Sequence, residues 1–291
     1  MQLIAVVLNW NGGPDTRAEL ESLDGIETIC VDNGSTDGSD AAVEEHFPQV
    51  ELIRTGANLG FAGGNNVGLR RAFERGAEWA LLINNDATAE PGLADALARA
   101  AAARPDAGLL ACKILFEDGR TIQYAGATFN PRLGYSGRLT GYGTRDRQDD
   151  DGVRDVGRAD GAALALSRAA FEWVGGLDES LFMYVEDVEL SLRVRRAGFG
   201  VVLVPAARVR HKGSAASGGR ASTANLFYSV RNTIAVSERY APLPFGARGL
   251  RRAVVVGAHL LQALSHPARR DAVRAVVAGW RAARAGRSGP R

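Results

Sequence analysis

Three consecutive amide and carboxylate side chains, Asn84, Asn85 and Asp86, end the apolar run of residues 80–83. A buried run that stops on such a triplet puts it in a loop. There the Asp86 carboxylate is suited to a divalent ion whose other positions are filled by diphosphate oxygens and water. One carboxylate makes a weak site, so substrate phosphate is expected to complete it; the plainer reading is a loop and cap before Pro91. Asp32 also follows a buried run directly, where a carboxylate accepts hydrogen bonds from a nucleobase or ribose, or merely closes an Asx turn. Asn33, Ser35 and Asp37 beside it are each good turn residues as well. Glu186, Asp187 and Glu189 open a segment of helical spacing, a position that favours negative charge for structural reasons alone. The aromatic and apolar approach over residues 181–185 nevertheless argues against a solvated charge run, and a carboxylate beside such a pocket can act as general base. Glu186, Glu189 and Arg193 fall on one face of that helix, Asp187 and Ser191 on another. His211 sits between Arg210 and Lys212, fit for a metal or phosphate, or for an ordinary surface loop. His46, His259 and His266 show no ligand spacing.

The elements that must carry these residues follow from the apolar pattern. The continuous apolar run at 3–8 reads as a strand buried on both faces, and further strands are expected at 28–31, 50–54, 79–83 and 109–114. Helices are expected at 16–23, 40–46 and 67–75, and from Pro91 to Ala103, because proline suits a first helical turn. The glycine-rich stretch 58–66, including Gly60 and Asn65, is expected to be a loop whose backbone approaches a ligand. It is neither a nucleotide P-loop nor a dinucleotide fingerprint, since the spacing of both motifs is missing. Residues 116–156 lack periodicity and read as irregular structure with short strands. Further strands are expected at 160–167 and 201–205, and helices at 168–174, 186–196, 224–240, 250–264 and 268–285. Strand-loop-helix alternation predicts one Rossmann-like, mostly parallel α/β sheet with ligands at the carboxyl ends of its strands. Residues 1–244 would form the catalytic domain and 245–291 a basic amphipathic helical extension.

Composition narrows the classes. With 46% hydrophobic and 23% charged residues, the chain of 291 residues is neither disordered nor fibrous. Its 35 glycines follow no three-residue period. Cys30 and Cys112 give no disulfide framework, and Cys30 reads as a small buried hydrophobe. No stretch reaches the roughly 18 uncharged apolar residues of a membrane span, and the start lacks signal-peptide features. The expected location is the cytoplasm, with peripheral contact at the inner face of the cell membrane open. The net charge of +2 is uneven: from Arg248 onward ten arginines face one acid, Asp271, and the preceding residues hold 25 basic and 32 acidic side chains, a net of −7. A basic tail on an acidic body suits an anionic membrane surface, and nucleic acid is not an expected partner.

Taken together in order, Val6–Asn11, Val31–Ser39, Asn58–Asn66, Leu82–Asp86, Asp160–Ala162, Gly175–Glu179, Phe182–Arg193, His211–Ser214 and Tyr228–Asn232 resemble glycosyltransferase family 2, the inverting enzymes with the GT-A nucleotide-sugar fold. The resemblance covers about Leu3 to Tyr240. It implies that Asp32 contacts the pyrimidine base with Asn9 nearby, and that Asn33, Ser35, Gly60, Asn65 and Asn85 belong to the donor side. It further implies that Asp86 coordinates Mg²⁺ or Mn²⁺ bridging the diphosphate, that His211 contacts metal or diphosphate, and that Asp187 is the base. Asp160, Glu186, Glu189 and Arg193 would support the acceptor side. Asn84 departs from the first aspartate of the family's common Asp-x-Asp triplet, which puts direct metal contact by Asn84 in doubt. The Asn-Leu-Gly-Phe-Ala-Gly-Gly-Asn stretch, the Asn-Asn-Asp triplet and the Arg231-Asn232 pair are most similar to bacterial rhamnosyltransferases of cell-wall and polysaccharide assembly. That subset implies a dTDP-L-rhamnose donor and a carbohydrate or polyprenyl-diphosphate-linked sugar acceptor. The competing readings are a sugar nucleotidyltransferase, against which the loop after residue 8 lacks the basic residues a triphosphate needs, and an inactive nucleotide-sugar-binding protein.

Overall fold

Runs that are apolar on both faces can be satisfied only inside a sheet covered on both sides, and that is where they lie. A computed structural model describes residues 1–136, 139–147, 152–213 and 222–291. Its N-terminal half alternates β1 (Leu3–Asn9), α1 (Gly13–Ser22), β2 (Glu27–Asp32), α2 (Ser39–His46), β3 (Glu51–Arg54), α3 (Gly60–Glu74) and β4 (Trp79–Asn84). There follow β5 (Ala87–Ala89), α4 (Leu93–Ala103), β6 (Ala107–Phe116) and four short strands, β7 (Ile122–Tyr124), β8 (Phe129–Asn130), β9 (Tyr135–Ser136) and β10 (Arg154–Asp155). The remainder is β11 (Ala163–Ser167), α5 (Arg168–Val174), α6 (Glu186–Arg196), β12 (Gly200–His211), α7 (Thr223–Tyr240), α8 (Phe245–Leu264) and α9 (Arg269–Arg284).

The main sheet runs β10-β12-β6-β11-β4-β1-β2-β3, with β5 on β12 and β7 on β6. The pairs β3-β2-β1-β4 and β6-β12 are parallel, but β11 is antiparallel to both β4 and β6. The sheet is therefore mixed, less parallel than the alternation predicts. The chain leaves β6 at the carboxyl edge and makes its long excursion there. It then starts down β11 from that same edge, Ala163 lying opposite Ile83. Without a crossover, the returning strand must run antiparallel.

Successive side chains of each strand go to opposite layers. Ile4, Val6, Ala80 and Leu82 pack with Leu69 and Phe73 of α3 and Leu190 and Val194 of α6. Ala5, Val7, Leu81 and Ile83 pack with Leu20 of α1, Val43 of α2 and Leu97 of α4. Both cysteines are buried, and burial pushes each thiol up to about 12. A third apolar cluster joins α7, α8 and α9, with Phe182, Met183 and Tyr184 at its margin.

Three local expectations change. Residues 60–66 form the first turns of α3 and not a loop. Their glycines serve contact with the sheet: a Cβ on Gly68 would lie 2.2 Å from Val6 Cγ1, and one on Gly64 2.4 Å from Leu8 Cδ1. Pro91 precedes the helix, which begins after Gly92 in the left-handed conformation. The strand expected to end at Pro205 continues to His211, because a register shift between Val204 and Arg208 accommodates the proline, which lacks a ladder donor.

Candidate active site

The carboxyl ends of β1 and β2 form a saturated polar floor. Asn9, fully buried, donates from Nδ2 to Asp32 Oδ1 at 2.9 Å, Ser39 Oγ at 2.8 Å and Ser35 Oγ at 3.2 Å. Its Oδ1 accepts from Thr16 Oγ1 at 2.7 Å and Gly12 N at 3.2 Å. Asp32 Oδ2 accepts from the Gly34 and Ser35 amides at 3.2 and 3.1 Å. Asn9, Asp32 and Ser35 thus hold one another beneath the cleft and do not line it. Asn33 does line it; its Nδ2 donates to Asn58 Oδ1 and Gly60 O, and its Oδ1 accepts from Leu59 N. Asn65 points into α3, donating to Phe61 O at 2.9 Å.

At the end of β4 the chain turns, and Asn85, Asp86 and His211 meet in the cleft wall. Asn85 Nδ2 donates to Thr16 Oγ1 at 3.0 Å. His211 Nε2 lies 3.1 Å from Asp86 Oδ1 and 3.4 Å from Asn84 Nδ2, while its Nδ1 meets Gln123 Oε1 at 2.7 Å. With Nδ1–H donated to Gln123, the Nε2 lone pair and a carboxylate oxygen face each other. Such a pair needs a proton or a cation between its members, so the donor set fits a divalent ion supplemented by substrate oxygens. No group of three or more His, Cys, Asp or Glu suited to a metal occurs among the described residues.

The opposite wall is built by the turn before β11 and the start of α6. Asp187 Oδ2 accepts from Gly161 N at 3.0 Å and lies 3.4 Å from Arg158 Nη1, which also lies 3.5 Å from Asp160 Oδ2. Its Oδ1 accepts from Val188 N at 2.7 Å. Burial pushes the Asp187 carboxyl above the usual aspartate range, opposed by Arg158 and reinforced by Asp160. Glu186 is pushed well above the glutamate range, first by burial and then by Asp187, and its Oε2 is buried without a hydrogen-bond partner. Both carboxylates and Asp160 line the cleft. Glu189 and Arg193 do not: they pair at 2.7 Å, Tyr240 Oη donates to Glu189 at 2.7 Å, and Arg193 donates to Gly176 O and Val174 O. This pair braces α6 against its neighbours.

The approach to α6 is strained. Phe182, Tyr184 and Val185 have φ of 64°, 63° and 74°, in the left-handed region that side-chain-bearing residues avoid. Asn232 of α7 fixes them, its Nδ2 lying 2.9 Å from the carbonyls of Leu181 and Met183 and 2.7 Å from that of Tyr184. Arg231 adds a bond from Nη2 to Leu181 O and holds Asn232 Oδ1 through Nε. Phe182 O accepts from Ala62 N of α3, and a Cβ on Gly60 would lie 2.4 Å from Phe182 Cδ2. Sequence reasoning assigned no part to Arg158, Gln123 or Asn232. The first two lie at the margins of the aperiodic stretch, and the third was visible only as part of the Arg-Asn pair. Ser214 lies outside the described residues.

A cleft at the strand carboxyl ends, with a metal-compatible pair on one wall and a raised carboxyl on the other, defines a group-transfer site on a nucleotide-binding α/β fold. The model of glycosyl transferase family 2 matches residues 16–175, and the chain belongs to that family. It is an inverting sugar-transferring enzyme with GT-A architecture. An N-acetylglucosaminyl-diphospho-decaprenol L-rhamnosyltransferase of Mycobacterium tuberculosis is 34% identical over 277 residues, covering 85% of this chain and 89% of that protein. In fold the chain is similar to the mannosyltransferase PcManGT of Pyrobaculum calidifontis in complex with GDP-Man and Mn²⁺, with a TM-score of 0.56, 20% identity, and 98% and 75% of the two chains covered. It is also similar to GalNAc-T7 with UDP, GalNAc and Mn²⁺, with a TM-score of 0.60, 16% identity, and 72% and 43% covered.

Proposed function

We propose that the chain transfers L-rhamnose from dTDP-L-rhamnose to a hydroxyl of a polyprenyl-diphosphate-linked sugar, with Mg²⁺ or Mn²⁺ at Asp86 and His211. The observation that carries the reading is the presence, in one cleft, of the Asp86–His211 pair and the raised Asp187 carboxyl. The Mycobacterium tuberculosis relative supports the choice of sugar and carrier. In this reading residues 1–244 are the catalytic unit and 245–291 an extension, and the enzyme works in the cytoplasm at the inner face of the membrane.

Asp32 and Asn9 shape the floor under the pyrimidine base, with Asn33, Ser35, Gly60, Asn65 and Asn85 fixing the loops around the donor. The bound divalent ion would supply positive charge to the diphosphate as it leaves. The acceptor oxygen attacks the anomeric carbon as the bond from that carbon to the diphosphate oxygen breaks, and Asp187 takes the hydroxyl proton. Arg158 and the Gly161 amide hold that carboxylate towards the acceptor, and Asp160 keeps its basicity high. With one base and no protein nucleophile, the configuration inverts.

The test is nucleoside-diphosphate release from a panel of dTDP-, UDP- and GDP-sugars, with and without Mg²⁺ or Mn²⁺ and a polyprenyl-diphosphate-linked acceptor. Acceptor-dependent dTDP release with metal is the expected result. Preference for a UDP- or GDP-sugar would overturn the donor, and pyrophosphate release from dTTP plus a sugar phosphate would reassign the chain to nucleotidyl transfer.

A further inference from the structure

The hairpin of α8 and α9 carries two solvent-facing rows of opposite chemistry. On α8, Leu250, Val254, Leu261 and Leu264 recur at i, i+4, i+11 and i+14, one face of a helix, and are 68, 53, 70 and 59% exposed. Ala253 and Ala258 widen that exposed face, and no charged residue interrupts it. Two arginines of α8 are occupied elsewhere: Arg251 is buried and bonds to Pro131 O and Ala241 O, and Arg252 pairs with Glu238; the third, Arg248, is exposed and donates to Leu243 O at 3.4 Å. On α9 the same spacing is filled by Arg270, Arg274, Arg281 and Arg284, all exposed. Among the described residues Arg270, Arg281 and Arg284 have no carboxylate partner, and Arg274 meets only the exposed Asp271. The opposite face of α9, Ala272, Ala275, Val276 and Ala282, is buried with α7. A Cβ on Gly279 would lie 2.4 Å from Phe227 O, so the two helices touch backbone to backbone.

We propose that this hairpin is a membrane-docking surface that takes an anionic phospholipid bilayer, with the α8 row at the acyl boundary and the α9 row on lipid phosphates. An exposed apolar row on one helix and, on its hairpin partner, a cationic row in which only Arg274 meets a carboxylate suit an interface that is apolar below and anionic above. A second copy of the chain fits less well. Joining two such hairpins would cover the leucines but gather two sets of arginines with one acid each. The inference deepens the proposed reading, since a polyprenyl-linked acceptor is confined to a bilayer. It rests on that reading only for its purpose, and its test contains neither donor nor acceptor.

The full chain is sedimented with vesicles of phosphatidylcholine alone or mixed with phosphatidylglycerol, over a range of salt. Binding is expected only to the mixed vesicles, weakening with salt. Replacing Arg270, Arg274, Arg281 and Arg284 together by Gln should weaken it by about 10²- to 10³-fold, four surface charges being lost. Leu250→Ser, Val254→Ser, Leu261→Ser and Leu264→Ser combined should abolish salt-resistant binding. Because these side chains are exposed, each variant should keep the wild-type circular dichroism and melting temperature. Equal binding of wild type and variants overturns the proposal. So does a concentration-dependent dimer, lost on serine substitution, with no vesicle binding.

Discussion

Asp187 and Glu186 are adjacent carboxyls raised for different uses. Asp187 is polarised by Arg158 and the Gly161 amide, whereas Glu186 keeps one oxygen without a partner. Asp187→Asn keeps the shape but not the proton acceptor. Its turnover should fall about 10²- to 10⁴-fold, roughly 3–5 kcal/mol of transition-state stabilisation, with donor affinity little changed in a binding titration. A base must be unprotonated, so kcat/KM should fall on the acid side, with its midpoint above the usual aspartate range because burial raises this group. Glu186 is raised by burial, so the folded protein binds its proton more tightly than the unfolded chain does. Stability from this group is full below the unfolded value and is lost as pH rises towards the folded one. Glu186→Gln should remove that loss, seen as a melting temperature less sensitive to rising pH, while turnover stays within a few-fold of wild type. Asp86→Ala should abolish metal-dependent donor binding in calorimetric titration; an unchanged metal dependence would remove Asp86 from that role. The site carboxylates were legible because each stands where an apolar run breaks. The partners Arg158 and Gln123 were not, since no periodicity marks the segment that folds back to present them.

The strained approach to α6 links three elements through backbone atoms, so it transmits position more than chemistry. Asn232 supports three carbonyls of that approach. Asn232→Ala should cost about 1–3 kcal/mol of stability in denaturant unfolding, from buried acceptors left unmet. It should also lower kcat more than it raises KM for the donor, since the displaced group is Asp187; the reverse pattern would make Asn232 a purely structural brace. The glycines of α3 allow a second contest of magnitudes. Gly68→Ala gains about 1 kcal/mol of helix propensity, but its methyl would sit 2.2 Å from Val6 Cγ1, and overpacking of a filled core costs about 1–3 kcal/mol. The net change should be destabilising, read as a lower denaturation midpoint. Here the sequence misleads for a physical reason. Glycine is the poorest ordinary helix former, and only the sheet surface beneath α3 explains why it is tolerated there.

Across the whole molecule, the C-terminal helices are part of the packing. Leu226, Phe227, Tyr228, Val230 and Ile234 of α7 are buried in a cluster completed by α8 and α9, and Gly289 N donates to Ser180 O beside the strained approach. Truncation after Pro244 should therefore produce an aggregation-prone chain in size-exclusion chromatography, and point variants are the sounder probe of this region. The charge asymmetry of the tail was plain in the sequence. The division of its two helices into an apolar and a cationic row was not, because helical phase alone does not say which face the rest of the protein covers. The position of β11 bears in turn on how the chain is made. This strand is the seam between β4 and β6, yet it leaves the ribosome after both. Until Ser167 has emerged, β4 and β6 each lack a partner along the edge β11 will fill, and unpaired apolar edges recruit other chains. A nascent chain paused before Ala163 would thus hold most of its sheet-forming sequence without the strand that joins the two halves. The interval between the emergence of β6 and that of β11 is therefore the stretch of synthesis in which these two edges stay open to other chains.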